Sequence, residues 1–347
     1  MLWPNETDCC RCWAPDRRRG GGAWQGAPEA VNRSVDLLGQ AVLSLTEEAL
    51  AGSDEQRARE WLGQAPFETP ICFAYVKSLL KSVGNEGRSP QLVGGSEKDG
   101  ADEASHVDES GRFLARENGV KFLLSMREGY SVGLFLDQRD NRRRLVRGSV
   151  FGGEGDLFSA VPSGRQPEVL NLFSYTCAFS VAAALGPRRP RTLSVDLSKK
   201  YLDWGRENFR ANGIDPDDRD QHDFIYGDCF EWLGYLARKE RQFDLVCVDP
   251  PTFSRSRNKK RKTTTFSVKK DYGRLAGDAL KVLRPGGVLL CSTNCATLPP
   301  GAFERDVEAA VRAAGRRVVA KLYSPQPPDF SAGGQKMYLK TLWLQID

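Results

Sequence analysis

From residue 168 onward, apolar positions fall into short unbroken runs separated by longer amphipathic stretches. Strand-like EVLNLFS, RTLSVDLS, DFIYGD, FDLVCVD and GVLLCST alternate with helix-like TCAFSVAAALG, KKYLDWGRENFRANG, CFEWLGYLARKE and VKKDYGRLAGDALKVL. Near-continuous apolar strands alternating with helices predict a parallel sheet covered on both faces. The tail differs: RRVVAKLYS and YLKTLWLQI are strand-like with no helix between them. The pattern therefore predicts an α/β, Rossmann-like fold over residues 160–347, a mainly parallel seven-stranded sheet ending in an antiparallel hairpin.

Upstream the periodicity changes. Residues 30–82 read as mostly helical, from the near-3.6 spacing in SVDLLGQAVLSLTEEALA and from CFAYVKSLLKS. The stretch GNEGRSPQLVGGSEKDGADEASHVDESG is rich in Gly, Ser and acid, and reads as a flexible linker completing an N-terminal region of residues 1–110. NGVKFLLSM and YSVGLFLDQ, separated by REG, predict a β-hairpin lead-in within residues 111–150.

Composition narrows the function classes. No run approaches 18 apolar residues, which argues against a membrane-spanning helix. The polar start MLWPNETDCCRCWAPDRRRGGG lacks the apolar stretch of a secretory signal. Arg11 and Arg17 to Arg19 fit an organelle address, against which Glu6, Asp8 and Asp16 count. Nine cysteines that form no framework of closely spaced pairs point to a reducing, cytoplasmic compartment. Cys9, Cys10 and Cys12 lack a second half at zinc spacing, and the histidines are His106 and His222, so no metal is expected. The net charge is +5, and removing the six basic residues of RSRNKKRK takes it to −1. The basic excess thus resides in one loop, formed by Arg255, Arg257, Lys259, Lys260, Arg261 and Lys262.

In open α/β sheets ligands bind at the carboxyl ends of the strands. The first run ends in NLFSYTCAFS without the glycines that let a backbone approach a pyrophosphate, which argues against NAD or FAD. The second ends at Asp196, placed to accept from ribose hydroxyls, and the third at Asp228, placed for an adenine amino group. The fourth ends in DPPTFS, where two prolines stiffen the backbone and remove two N–H donors. Such a loop can hold a flat base against Phe253. An aspartate at a strand end is also a good helix cap, and Asp-Pro-Pro is also a common turn. Four polar signatures at four successive strand ends, in this order, favour binding of S-adenosylmethionine (SAM).

GLFLDQRDNRR, VLNLFSYT, VDLSKKYLDWGRENFRANG and DPPTFSRS together resemble the bacterial large-subunit ribosomal RNA methyltransferases over residues 112–347. The guanine-N7 branch is the closer, and a related branch methylates carbon-5 of cytosine. The resemblance implies a class I SAM-dependent methyltransferase fold and an RNA partner, most naturally ribosomal RNA. It implies that Asn171, Phe173, Tyr175 and Thr176 surround the methionine moiety of SAM. Asp196, with Leu197 and Ser198, would hold the ribose, and Asp228, with Cys229, the adenine. Asp249, Pro250, Pro251 and Phe253 would face the methyl group and the target base. Arg139, Arg142, Arg143 and Arg144 would meet phosphates from the lead-in hairpin, joined by the basic loop. Relatives usually have glycine where this chain has Cys177 or Ala178. Members often carry an RNA-binding module of the THUMP or PUA kind, and residues 1–110 show neither pattern.

Two chemistries divide the family. Guanine N7 carries a lone pair and no proton, so its methylation needs no general base. Cytosine carbon-5 becomes nucleophilic only after a thiolate adds to the ring. Asn294 stands where the cytosine branch has its cysteine, with Cys295 one residue later and Cys291 inside the strand, which favours nitrogen. A non-catalytic RNA-binding protein on the same fold is a further alternative.

Overall fold

The computed structural model describes residues 33–38, 41–46, 73–78, 91–95, 111–125, 132–153, 155–257, 263–328, 330 and 337–347. The chain divides into two compact units, residues 1–136 with 328–335 and residues 137–327 with 336–347.

In the first unit, β1 (Arg33–Leu38), β2 (Ala41–Thr46), β3 (Phe73–Ser78) and β4 (Gln91–Gly95) form a four-stranded sheet in that order. The expectation of helix over residues 30–82 is corrected in these segments. Val35, Val42, Phe73, Tyr75 and Val76 are β-branched or aromatic, and such side chains fit a pleated surface better than a helix. Leu38 pairs with Ala41, so two residues, Gly39 and Gln40, separate β1 from β2 in sequence. A glycine-led pair is what a two-residue hairpin connection favours. Residues 96–110, most of the expected linker, and Cys9, Cys10, Cys12 and His106 lie outside the described residues.

β5 (Arg112–Glu117) and β6 (Val120–Ser125) form an antiparallel hairpin joined by Asn118 and Gly119. Both connecting residues have positive φ, 53° and 80°, the conformation that Asn-Gly supplies most readily. The predicted second strand, YSVGLFLDQ, is not one. Its end, Leu136–Gln138, is a 3-10 turn that runs into helix α1 (Arg139–Arg147). Asp140 in the first turn and Arg144 and Arg147 in the last complement the helix dipole. Gly148, at φ 63°, closes the helix in the left-handed conformation.

The second unit is built on a seven-stranded sheet. Its elements are β7 (Glu168–Leu172), α2 (Ala178–Ala184), β8 (Arg191–Asp196), α3 (Lys199–Ala211), β9 (His222–Tyr226), α4 (Cys229–Arg238) and β10 (Phe243–Val248). A small hairpin, β11 (Phe253–Arg257) and β12 (Thr263–Ser267), precedes α5 (Val268–Leu280), β13 (Leu283–Thr293), α6 (Pro300–Ala313), β14 (Val318–Pro325) and β15 (Lys340–Ile346). The strand order is β14-β15-β13-β10-β7-β8-β9. β15 runs antiparallel between β13 and β14, while β13, β10, β7, β8 and β9 are mutually parallel. α6 was not anticipated, although Phe303, Val307 and Val311 form a buried stripe at four-residue spacing.

All six residues of β10 are buried. Val246 and Val248 join the core on one face, and Leu245 and Cys247 the core on the other. The chain winds outward from β7 through β9 and returns to β10, so strand order reverses between β7 and β10. That reversal opens a crevice at their carboxyl ends. At the opposite end Asp244 fixes the strand bases. Its carboxylate accepts from Arg165 at 2.8 and 2.6 Å, from Arg284 at 3.0 Å and from the Glu168 backbone N–H at 2.8 Å.

Asp244→Ala strands these donors far from the crevice. It is expected to cost about 1.5–3 kcal/mol, the range for hydrogen bonds to a charged acceptor. Urea denaturation should show this loss, and calorimetry should show unchanged cofactor affinity.

Candidate active site

The crevice is built from four strand ends. After β7 the chain makes a loop in which Phe173, Tyr175 and Cys177 all have positive φ, at 55°, 50° and 61°. Non-glycine residues in this region cost about 1–3 kcal/mol each and persist only where their surroundings impose them. Here the surroundings are explicit. Phe173 N–H donates to Cys229 Sγ at 3.2 Å, Ser174 N–H to the Val195 carbonyl at 3.1 Å, and Tyr175 N–H to Asp196 Oδ2 at 2.8 Å. Gly205 on α3 makes room for the Cys177 side chain: a Cβ at residue 205 would lie 2.5 Å from Cys177 Sγ. The Cys177 thiol thus has its own socket.

Asp196, at the end of β8, accepts from Tyr175 N–H on Oδ2 and from Ser198 N–H on Oδ1 at 2.8 Å. Burial pushes its carboxyl upward against these two bonds. Each oxygen retains acceptor capacity for a hydroxyl. Asp228 is the N-cap of α4, with Oδ1 accepting from Phe230 and Glu231 N–H at 2.8 and 3.3 Å. The cap occupies one oxygen, and among the described residues no bond is made by Oδ2. Between these acids Leu197 is 44% and Tyr226 64% exposed, leaving apolar surface at the strand ends. Two acids with acceptor capacity beside uncovered apolar side chains fit the ribose and adenine of SAM.

Other expected contacts are redistributed. Asn171 is buried and donates to Ser180 Oγ at 2.9 Å, which bonds Ser194 Oγ at 2.8 Å. Thr176 is fully buried, and its carbonyl accepts from Asn208. Cys229 is buried and bonded to Val195 O and Phe173 N. These three shape the loop from behind and present no surface to a ligand. The Phe173 ring packs on Phe230 and Phe266, and the Tyr175 ring meets Tyr201 edge-on.

At the fourth strand end lie the residues expected to face the methyl group and the target base. Pro250 is buried, Pro251 and Thr252 are exposed, and Phe253 is 55% exposed at the start of β11. Asp249 Oδ2 accepts from Gln138 Nε2 at 3.1 Å. Burial, then the charge of Asp137, pushes the Asp249 carboxyl up to about 7, while bonds from Ser292 and Gln138 and the Arg142 charge pull it down. Tyr272 braces the neighbouring backbone, its hydroxyl lying 3.0 Å from Val248 O and 2.9 Å from Ser292 O. Gln138, Asn141, Tyr272, Ser292, Thr341 and Trp343 were not foreseen as site residues.

The arginines of α1 do not act as a set. Arg142 is 2% exposed, and its charge acts on Asp137 and Asp249, which corrects its expected phosphate role. Arg143 is exposed and pairs with Asp140 at 3.1 Å, and Arg144 donates to the Asp140 carbonyl. Arg139 is half-buried at the helix start. Arg255 and Arg257 stand on β11, opposite Thr265 and Thr263. Lys259, Lys260, Arg261 and Lys262 lie outside the described residues.

A cleft of about 590 Å³ opens at the amino ends of the strands, lined by Glu168, Arg191, Trp232, Tyr235 and Phe243 among others. It lies at the wrong end of the sheet for the four signatures. Among the described residues no helix is long and apolar enough to cross a membrane, and no cluster could hold a metal.

A doubly wound sheet with a reversed strand beside β13, and acids ending β8, β9 and β10, defines a class of methyl-transferring enzymes with a nucleoside cofactor. The chain belongs to the S-adenosylmethionine-dependent methyltransferase family, whose model matches residues 99–345. SAM is its cofactor. Bacillus subtilis (strain 168) YwbD, provisionally named a ribosomal RNA large subunit methyltransferase, is 35% identical over 235 residues, 67% of this chain and 54% of that protein. The ribosomal RNA large subunit methyltransferase K/L of Shewanella loihica is 40% identical over 181 residues, 52% of this chain and 22% of that one. The chain thus spans about half of the first relative and about a fifth of the second. The crystal structure of SMU.776 complexed with SAH superposes with a TM-score of 0.68 at 27% identity, over 90% of this chain and 71% of that one. A methyltransferase structure from Streptococcus mutans gives 0.67 at 26% identity, with the same coverage.

The Asp249 environment has a stability consequence. Its carboxyl titrates near 7 in the folded protein and near 3.9 when unfolded. Between those values the folded state holds a proton that the unfolded state has released, so this group's contribution to stability falls as pH rises from about 4 to about 7. Asp249→Asn removes that slope. Thermal unfolding should show the variant more stable than the parent at pH 8, with the gap closing towards pH 5.

Proposed function

We propose that this chain methylates a ring nitrogen of a base in large-subunit ribosomal RNA, guanine N7 being the favoured target. The carrying observation is the geometry at the end of β10: a half-buried acid beside an exposed Phe253, with the side chains of all described cysteines buried. Burial pushes the Cys291 thiol up to about 12 and that of Cys247 higher still. Both lie inside strands with no exposure, and Cys295 is buried in the core. The names of the relatives supply the RNA class, and the rigid Pro250–Pro251 turn suits a flat base.

Bound SAM supplies a methyl group on a sulfonium, and the carbon–sulfur electron pair leaves with the sulfur. The lone pair of guanine N7 forms the new bond, and positive charge passes to the purine ring. No proton has to be removed, in keeping with the absence of a histidine near Asp249 among the described residues. Asp249 faces the developing charge as a fixed counter-charge in a site of low polarity. A cationic cofactor or base also favours the ionised carboxylate. Asp249 is therefore charged when it is needed, despite titrating near 7 alone. The basic hairpin following DPPTFS extends from the site's rim and would engage phosphates.

Two expectations test this reading. Asp249→Asn should lower kcat by about a hundredfold, the loss typical of one preorganised electrostatic group. Cys291→Ser and Cys295→Ser should keep most activity, and RNA carrying 5-fluorocytosine should form no covalent complex. A trapped complex that disappears with Cys295→Ser overturns the nitrogen assignment. Replacing Lys259, Lys260, Arg261 and Lys262 by Ser should weaken RNA binding and lower the slope of log K against log salt by up to about 4 in magnitude. SAM affinity should be unchanged. An unaltered slope removes the loop from the RNA interface.

A further inference from the structure

The polar groups behind Asp249 form a network whose direction is set at one end. Trp343 is fully buried in the middle of β15, and its indole N–H can only donate. It donates to Asn141 Oδ1 at 2.9 Å. That bond fixes which way the Asn141 amide faces, so its Nδ2 protons point to Gln138 Oε1 at 2.6 Å and Thr341 Oγ1 at 3.1 Å. Gln138 is oriented in turn. With Oε1 taken, its Nε2 protons go to Asp249 Oδ2 at 3.1 Å and Ser292 Oγ at 2.7 Å. The Thr341 hydroxyl donates to Ser292 Oγ at 3.3 Å, which leaves the Ser292 hydroxyl free to donate to Asp249. Both branches run one way and end on the same carboxylate.

Such an arrangement exceeds what packing needs. Gln138, Asn141, Ser292, Thr341 and Trp343 are all buried, where an apolar core of equal shape would be at least as stable. A flipped Gln138 amide would set a carbonyl oxygen against the Asp249 oxygen. The indole excludes that flip from two residues away.

We propose that Gln138, oriented by Trp343 through Asn141, is a positioning residue that holds the Asp249 carboxylate in place and sustains its charge for methyl transfer. This rests on the role given to Asp249 above, and its test separates the two.

The readout is the midpoint of the Asp249 carboxyl titration, followed by carbon-13 NMR in the free full-length protein. It requires neither RNA nor turnover. Gln138→Leu removes the donor at similar volume and should move the midpoint up by about one pH unit, the size of one lost charge-assisted bond. Trp343→Phe keeps the ring and removes the N–H, and should move it in the same direction by less. Gln138→Glu adds a negative charge and should move it furthest. A midpoint unmoved in both Gln138→Leu and Trp343→Phe overturns the proposal, because a purely structural role would lower the melting temperature alone. If the midpoints move but Asp249→Asn retains full turnover, the electrostatic relay stands and the catalytic role fails for Asp249 and Gln138 together. If Asp249→Asn is crippled while Gln138→Leu keeps midpoint and rate, the relay alone falls.

Discussion

The indole N–H of Trp343 is a small feature on which much of the active end depends. Because it can only donate, it decides the orientation of two buried amides, and through them the set of protons facing Asp249. Opposing them are burial and the charge of Asp137, which push the same carboxyl up to about 7. The site is thus a balance: a charge disfavoured by its surroundings, kept available by bonds that cannot point elsewhere. The reversed β15 acquires a role in this light. It brings Trp343 and Thr341 beside β13, where a further parallel crossover would have placed different residues.

Much of the sheet could be read from sequence, because β7, β8, β10 and β13 are buried along most of their length and leave near-continuous apolar runs. The acids at the strand ends were legible for the same reason, since each follows a run directly. Asp228 carries both readings at once: it caps α4 with one oxygen and keeps the other uncommitted. The Asp249 network was not legible. Its bonds join residues 111, 154, 200 and 202 apart, and no local pattern marks such partners. GLFLDQRDNRR was noticed for its arginines, yet its Gln138 and Asn141 reach the site, and Arg142 turns inward. The N-terminal strands were misread because Leu-rich segments with mixed polar positions fit a helical period as well as a strand's.

Cys177 shows how a fold accommodates a side chain at a left-handed position. A left-handed position is occupied by a thiol, and Gly205 on the neighbouring helix supplies the space. The loop retains its three left-handed residues, tied to Cys229, Val195 and Asp196. The strain sits beside the cofactor's expected place, where it holds the backbone close to the acids.

The central claim, that methyl transfer here goes to a ring nitrogen facing Asp249, is tested most directly by identifying the product. Unmodified large-subunit RNA would be incubated with the full-length protein and SAM carrying an isotopic methyl label, then digested to nucleosides for mass spectrometry. The account predicts label in 7-methylguanosine. Label in 5-methylcytidine would contradict it.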